Sequence, residues 1–131
     1  MTPSSPLARI VVLNFNGKDC LSQCLSSLQN LDYERFFIVV VDNDSTDGSF
    51  EAAEAKFPQC QFLRKNKNKG FAAGMNGGIS VALERGAEWV WIFNNDAEAE
   101  ASALKELVQT GVTEQNIGLL SPWILDKRSQ A

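Results

Sequence analysis

The feature that most constrains the fold is a regular alternation of two hydrophobic patterns along the chain. Short runs rich in β-branched residues are typical of strands that are buried on both faces. Between these runs, apolar residues recur every three or four positions, which is the spacing of an amphipathic helix. The predicted strands are residues 8–13, 36–41, 60–63 and 89–93, with a fifth at 117–120.

Four predicted helices occupy the intervals between these runs. They cover 18–31, the segment that follows the capping residues at 45–49 and stops at Pro58, the segment from Phe71 to near Gly86, and the residues around Leu104 and Val108, where Gly111 closes the helix. Strands that alternate with helices lie parallel and are joined by right-handed crossovers. The sequence therefore predicts an α/β protein, a three-layer α/β/α sandwich with a mostly parallel sheet.

Length and composition bound the domain organisation and exclude several kinds of function. The 131 residues suffice for one domain, predicted over 8–131, behind a flexible polar lead-in at 1–7. A formal charge of −4 without a basic run argues against nucleic acid, and no apolar run is long enough for a transmembrane segment. With no histidine, His-dependent triads are excluded, and the three cysteines favour reduced thiols in a cytoplasmic setting.

Polar residues follow each of the first four predicted strands. They are found at 14–17, 42–45, 66–70 and 94–96. Any one of these segments is explained equally well as a turn that caps the next helix. Because ligands of open α/β sheets bind at the carboxyl ends of the strands, four consecutive polar ends favour a single ligand site.

The residues after the first two strands point to a nucleotide rather than to a dinucleotide cofactor. Neither the G-x-G-x-x-G pattern nor a P-loop follows the first strand. Instead, the ring of Phe15 lies between Asn14 and Asn16, which could together frame a nucleobase. After the second strand, Asp42 and Asn43 could bind the base or the ribose hydroxyls.

The start of the third helix favours phosphate. Lys69 and Gly70 precede its first turn, where free N–H groups and the helix dipole attract anions. Arg64, Lys65 and Lys67 extend this basic patch, which is explained equally well as a solvated loop. Three glycines within the helix predict close packing on a neighbour or a ligand; they are Gly74, Gly77 and Gly78.

A single carboxylate after the fourth strand is the candidate metal ligand. Asp96 follows the amides Asn94 and Asn95. One carboxylate among neutral oxygen donors suits Mg²⁺ or Mn²⁺ when the ion is shared with a phosphate.

Four segments together resemble the family 2 glycosyltransferases of the GT-A fold, over roughly residues 8–120. They are IVVLNFN at 10–16, VVDNDSTDG at 40–48, NKGFAAGMN at 68–76 and FNND at 93–96. The chain resembles the rhamnosyltransferase-like branch of this family in two features. These are the asparagine that follows Asp42 and the Asn-x-Asp form of the last segment.

The resemblance implies inverting transfer of a sugar from a UDP- or dTDP-sugar to the hydroxyl of a carbohydrate or lipid-linked acceptor. It places Leu13 and Phe15 at the pyrimidine and Asp42 and Asn43 at base and ribose. The implied nucleotide-sugar residues are Leu13, Asn14, Phe15, Asn16, Asp42, Asn43, Lys69, Gly70, Asn76, Asn94 and Asn95, and the implied metal ligands are Asp96 and Asn94.

The sequence departs from the family after the metal segment. Family members carry a further portion there that forms the acceptor site and supplies a carboxylate base, so the catalytic residue of this chain is unknown. A non-catalytic nucleotide-binding or interaction module is therefore the alternative. A nucleotidyltransferase would need a glycine-rich basic loop after the first strand, which 14–17 does not supply. Apolar surface around Trp89, Trp91 and Trp123 predicts a possible homodimer.

Overall fold

The computed structural model describes residues 5–126, in which four strands alternate with four helices. The elements are β1 Ala8–Asn14, α1 Leu21–Gln29, β2 Phe36–Asp42, α2 Ser49–Lys56, β3 Gln61–Arg64, α3 Phe71–Glu84, β4 Trp89–Asn94 and α4 Ala103–Thr113. This order confirms the predicted alternation and the α/β fold class.

The four strands form one parallel sheet in the order β3-β2-β1-β4. The central strand β1 pairs with β2 so that Asn14 lies opposite Asp42, and with β4 so that Leu13 lies opposite Asn94. The carboxyl ends of the strands therefore meet at one edge of the sheet.

Helices cover both faces of the sheet and make the predicted three layers. Ile10 and Val12 of β1 pack with α1, α2 and α4, whereas Val11 packs with α3 on the other face. All three side chains are fully buried, which explains why residues 10–12 of the strand are apolar without alternation. Each such side chain contributes about 1.5–3 kcal/mol when it leaves water.

The packing of α3 on the sheet depends on two glycines. A Cβ on Gly74 would lie 2.6 Å from Leu13 Cδ1, and one on Gly78 would lie 2.3 Å from Val11 Cγ1. The prediction of close packing is confirmed for these two positions. Gly77 instead lies beneath the flexible end of the Lys65 side chain.

The predicted fifth strand is wrong. Residues 117–120 pair with no strand in the described part of the chain, and Leu119 is almost wholly exposed. Gly118 interrupts the short apolar run and weakens any tendency to extend it as a strand. As a result, β4 lies at the edge of the sheet formed by the described residues.

Two helix boundaries also differ from prediction. Gly111 does not close α4, which continues to Thr113. A Cβ at position 111 would lie 2.5 Å from the ring of Trp89, so this glycine permits a close helix–strand contact rather than an end. The first helix is shorter than the predicted 18–31, since residues 18–20 form a turn.

The chain enters the sheet through contacts near β4. The carbonyl of Leu7 accepts hydrogen bonds from the backbone N–H groups of Glu88 and Trp89 at 2.9 and 3.2 Å. Residues 1–4 of the predicted lead-in and 127–131 of the predicted domain lie outside the described residues, and the domain bounds stay predictions. Within residues 5–126, no helix is long and apolar enough to span a membrane.

Candidate functional site

The polar segments predicted to share a site are joined at the carboxyl edge of the sheet by hydrogen bonds between their side chains and backbone. These bonds run from β1 to the loop after β2, from that loop to the start of α3, and from β1 to the loop after β4. The four strand ends are therefore linked to one another, and the single ligand site stays a prediction.

Asn14 is the centre of this network and is fully buried. Its Nδ2 donates to Asp42 Oδ1 and to Ser49 Oγ, both at 2.9 Å, with Ser45 Oγ at 3.3 Å. Its Oδ1 accepts a hydrogen bond of 3.0 Å from Asn95 Nδ2. Asn14 therefore ties β1 to the loop after β2, to the start of α2 and to the loop after β4.

Asp42 is likewise fully buried, and both of its carboxylate oxygens have partners within the protein. Oδ1 accepts from Asn14, and Oδ2 accepts from the backbone N–H of Ser45 at 2.9 Å. The guanidinium of Arg64 lies 3.6 Å from Oδ2 and also donates to the Ser45 carbonyl and to Glu51, each at 2.7 Å. The buried charge is thus compensated, as it must be in a low-dielectric interior.

Arg64 therefore differs from the solvated or phosphate-binding role considered for it as part of the basic patch. The side-chain hydrogen bond with Glu51 raises the pKa of the Arg64 guanidinium. The side chain also lies over the ring of Phe50. These contacts direct Arg64 toward the loop after β2, which leaves Lys65, Lys67 and Lys69 as the other basic residues of the loop before α3.

Asn43 is buried and holds the loop that leads into α3. Its Nδ2 donates to Asn68 Oδ1 at 3.2 Å and to the carbonyl of Gly70 at 3.0 Å. The N–H of Gly70 in turn donates to Asn68 Oδ1 at 2.8 Å. Gly70 has φ +96°, a conformation that a side chain disfavours. The amino terminus of α3 is thereby held at the site.

The loops after β1 and β2 are joined by a reciprocal pair of bonds. The N–H of Asn16 donates to Ser45 Oγ at 2.8 Å, and the N–H of Thr46 donates to Asn16 Oδ1 at 2.9 Å. Asn16 adopts φ +50°, a left-handed conformation that asparagine tolerates better than most residues. Asn16 thus stabilises the turn that presents Phe15.

Sequence reasoning missed Asp47 as part of the site. Its Oδ2 accepts from the N–H of Lys18 at 2.9 Å, and its Oδ1 accepts from the N–H of Ser49 at the same distance. The hydrogen bond from the Ser49 hydroxyl is the main reason that the pKa of Asp47 is lowered. The run of capping residues at 45–49 was the available signal, but it showed a helix start and not a link between loops.

The remaining predicted site residues surround this buried network. Phe15 is half-exposed at 51%, and Leu13 is partly buried against α3. Asn76 lies in the second turn of α3 and is exposed. The other predicted residues at the exposed rim are Asn16, Lys69, Gly70, Asn94 and Asp96.

The predicted metal ligands fit an ion that is shared with a ligand. Within residues 5–126, no group of three His, Cys, Asp or Glu side chains could hold a metal. Asp96 supplies one exposed carboxylate beside Asn94, a set that suits Mg²⁺ because this ion takes its other ligands from phosphate and water. Burial raises the pKa of the Cys20 thiol, and the charge of Asp96 raises it further.

The fold is that of an open parallel α/β sheet, a class of protein in which ligands bind at the carboxyl ends of the strands. The family model described as glycosyl transferase family 2 matches residues 9–119, and the chain belongs to that family. This membership and the solved structures below confirm the resemblance and the GT-A fold predicted from the sequence.

The curated relatives of the chain include a rhamnosyltransferase. The chain is 26% identical over 125 residues to the N-acetylglucosaminyl-diphospho-decaprenol L-rhamnosyltransferase of Mycobacterium tuberculosis. The match covers 89% of this chain and 41% of that protein. The chain spans well under half the length of the first curated relatives that it matches, with shares of 38%, 35% and 41%.

Two solved structures share the fold. One is S. aureus TarS 1-349 in complex with UDP, with a TM-score of 0.73, 20% identity, and coverage of 88% of this chain and 38% of that one. The other is the mannosyltransferase PcManGT from Pyrobaculum calidifontis in complex with GDP-Man and Mn²⁺. Its TM-score is 0.75 at 23% identity, with coverage of 88% of this chain and 34% of that one.

Proposed function

We propose that the carboxyl edge of the sheet binds a nucleoside-diphosphate sugar of the UDP or dTDP type. The chain then acts as the donor-binding part of an inverting family 2 glycosyltransferase. The observation that carries this proposal is the buried network of Asn14, Asp42, Asn43 and Asn95. It ties the four strand ends together while Phe15, Lys69 and Asp96 stay exposed around it.

The nucleobase is assigned to the turn after β1. Phe15 offers a half-exposed ring for stacking, and Leu13 lies two residues before it, near the end of β1. The complex of TarS with UDP supports a pyrimidine, whereas PcManGT is complexed with a guanine nucleotide. Since Asp42 and Asn43 are buried, their part in base and ribose binding is mainly to hold this turn and its neighbours.

The diphosphate is assigned to the start of α3. This helix has 14 residues, and the bonds of Asn43 and Asn68 hold its first turn at the site. Its free N–H groups and its dipole favour phosphate oxygens, and Lys69 adds a positive charge directly before them. Asn76, one turn further on, is the more distant member of this group.

The metal is assigned to Asp96 and Asn94. Either Mg²⁺ or Mn²⁺, when bound, offsets the negative charge that builds on the leaving diphosphate. Asp96 and Asn94 would hold the ion with one carboxylate, and phosphate and water would supply its other ligands. The Mn²⁺ in the PcManGT complex supports use of a divalent ion in this fold.

The acceptor is proposed to be a carbohydrate or a lipid-linked sugar. The M. tuberculosis relative supports this class, because its name includes a sugar that is linked to decaprenol through a diphosphate. The three free thiols support a reducing, cytoplasmic setting. No general base is assigned to this chain.

Calorimetric titration with UDP, dTDP and GDP, each with and without Mn²⁺, tests the proposal. We expect UDP or dTDP to bind more tightly than GDP, and Mn²⁺ to strengthen that binding. Asp96→Ala should remove most of the Mn²⁺ effect because it removes the only carboxylate of the metal site. Asp32→Ala is the matched control, since Asp32 is an exposed aspartate at the opposite edge of the sheet.

A folded sample that binds no nucleotide at millimolar concentration would contradict the proposal. Slow hydrolysis of a bound UDP-sugar would favour a transferase. Binding without hydrolysis or transfer would favour the non-catalytic module instead.

A further inference from the structure

Asn95 lies between the two residues assigned to the metal, but its side chain is used inside the protein. Its Nδ2 donates to Asn14 Oδ1 at 3.0 Å, and the residue is partly buried, whereas Asn94 and Asp96 are exposed. The middle residue of the segment is thus directed toward the buried network, and its two neighbours are left at the rim.

Asn95 must be the donor in this hydrogen bond, because the side-chain amide of Asn14 cannot be flipped. Asn14 Nδ2 is required by the carboxylate of Asp42, which only accepts hydrogen bonds, and it also donates to Ser49. Asn14 Oδ1 must therefore face Asn95, and only a donor can satisfy it there. A single buried amide links the loop that carries Asp96 to the loop after β2.

The space around this bond is restricted by Gly17. A Cβ at this position would lie 2.3 Å from Asn14 Oδ1 and 2.5 Å from Asn95 Nδ2, the two atoms of the bond itself. The backbone of Gly17 is not in the left-handed region, so glycine is required here for space. A methyl group at position 17 would push the two amides apart without removing either one.

We propose that Asn95 is a positioning residue that couples metal binding to nucleotide binding through Asn14. This inference rests on the proposed function. A nucleotide that orders the turns after β1 and β2 also fixes Asn14, and Asn14 holds the loop of Asp96 in place through Asn95. The coupling is reciprocal, since two ligands that stabilise the same arrangement each strengthen the binding of the other.

The test is the factor by which Mn²⁺ tightens UDP binding, measured by calorimetry on the whole chain. In Asn95→Ala, this factor should fall about fivefold, the effect of losing one hydrogen bond of ordinary net strength. Affinity for UDP without Mn²⁺ should fall by less. If Asn95 only supported the fold, its loss would weaken UDP binding equally with and without Mn²⁺. The ratio of these two affinities, which is the factor measured here, would then be unchanged.

Gly17→Ala tests the same bond without changing a polar group. The ratio should fall as it does in Asn95→Ala, and the double variant should add little to either single change. Gly118→Ala is the control, because a Cβ there meets nothing within 4 Å and the backbone is not left-handed. If Gly17→Ala does not fold, Asn95→Ala alone decides.

The outcomes separate the two proposals. If the wild-type chain binds UDP and Mn²⁺ strengthens that binding, an unchanged ratio in Asn95→Ala overturns the coupling alone. UDP binding to which Mn²⁺ adds nothing in the wild-type chain also overturns the coupling. If the folded wild-type chain binds no UDP, the proposed function itself is overturned, and the coupling with it.

Discussion

At the scale of single residues, the polar side chains at this edge fall into two groups with different tasks. Asn14, Asp42 and Asn43 are buried, and their side-chain hydrogen bonds link the strand ends and loops. Phe15 and Asp96, in contrast, are exposed to solvent. The sequence identified both groups as candidates for ligand contact. It could not separate them, because the direction of a side chain at the end of a strand depends on what the neighbouring strand places beside it.

Asn14 is the residue whose loss should cost most stability. In Asn14→Ala, the buried carboxylate of Asp42 loses a donor, and Ser49 and Asn95 lose a partner. We expect the free energy of unfolding to fall by about 2–4 kcal/mol, the range for a charged buried group left incompletely paired. Urea unfolding of the wild-type chain and the variant measures this difference in the free energy of unfolding. The control Asn116→Ala changes an exposed asparagine in a turn, and an equally small effect at both positions would contradict the role of Asn14.

At the scale of elements, the placement of α3 decides where the phosphate site lies. Its glycines bring the helix onto β1 and β2, and the bonds of Asn43 hold its first turn at the edge. The three glycines were visible in the sequence as poor helix formers that need compensation. Which of them touches the sheet was not visible, since Gly74 can share a helix face with Gly77 at i+3 or with Gly78 at i+4.

This difference predicts opposite outcomes for two equivalent substitutions in α3. A Cβ in Gly78→Ala would lie 2.3 Å from Val11 and 2.8 Å from Val41, both fully buried, so the helix must shift. We expect a loss of about 1–3 kcal/mol in the free energy of unfolding, despite the better helix propensity of alanine.

Gly77→Ala is the matched control in the same helix. Its Cβ meets only the flexible end of Lys65, which can move away, so stability should be unchanged or slightly higher. Urea unfolding of both variants gives the comparison. Equal losses at the two positions would mean that α3 does not pack on the sheet through Gly78.

At the scale of the whole molecule, apolar surface is concentrated after the last helix. Leu119 and Trp123 are each 92% exposed and Ile124 is 87% exposed, whereas Trp89 and Trp91 are partly buried against the core. The predicted bare patch is therefore centred on 119–124 and not on the three tryptophans together. This segment follows α4 without joining the sheet at β4.

The predicted homodimer should depend on this segment. We expect light scattering at tens of micromolar to give a mass above that of the monomer, and Trp123→Ser to lower it, because the variant removes a large exposed apolar side chain. The control Leu83→Ser changes an exposed leucine on α3 that is not part of the segment. A monomeric mass for the wild-type chain would contradict the prediction.

The sequence by itself determined the alternation of elements, the parallel sheet that follows from it, and the polar character of all four strand ends. These follow from local chemistry: hydrophobic period, capping residues and glycine. Only the tertiary structure decided that Asn14, Asp42 and Asn95 form one network and that Arg64 pairs with Asp42. It also decided that residues 117–120 stay outside the sheet. The network and the contacts of Arg64 depend on the strand order β3-β2-β1-β4 and its register, which bring together residues that are remote in the chain.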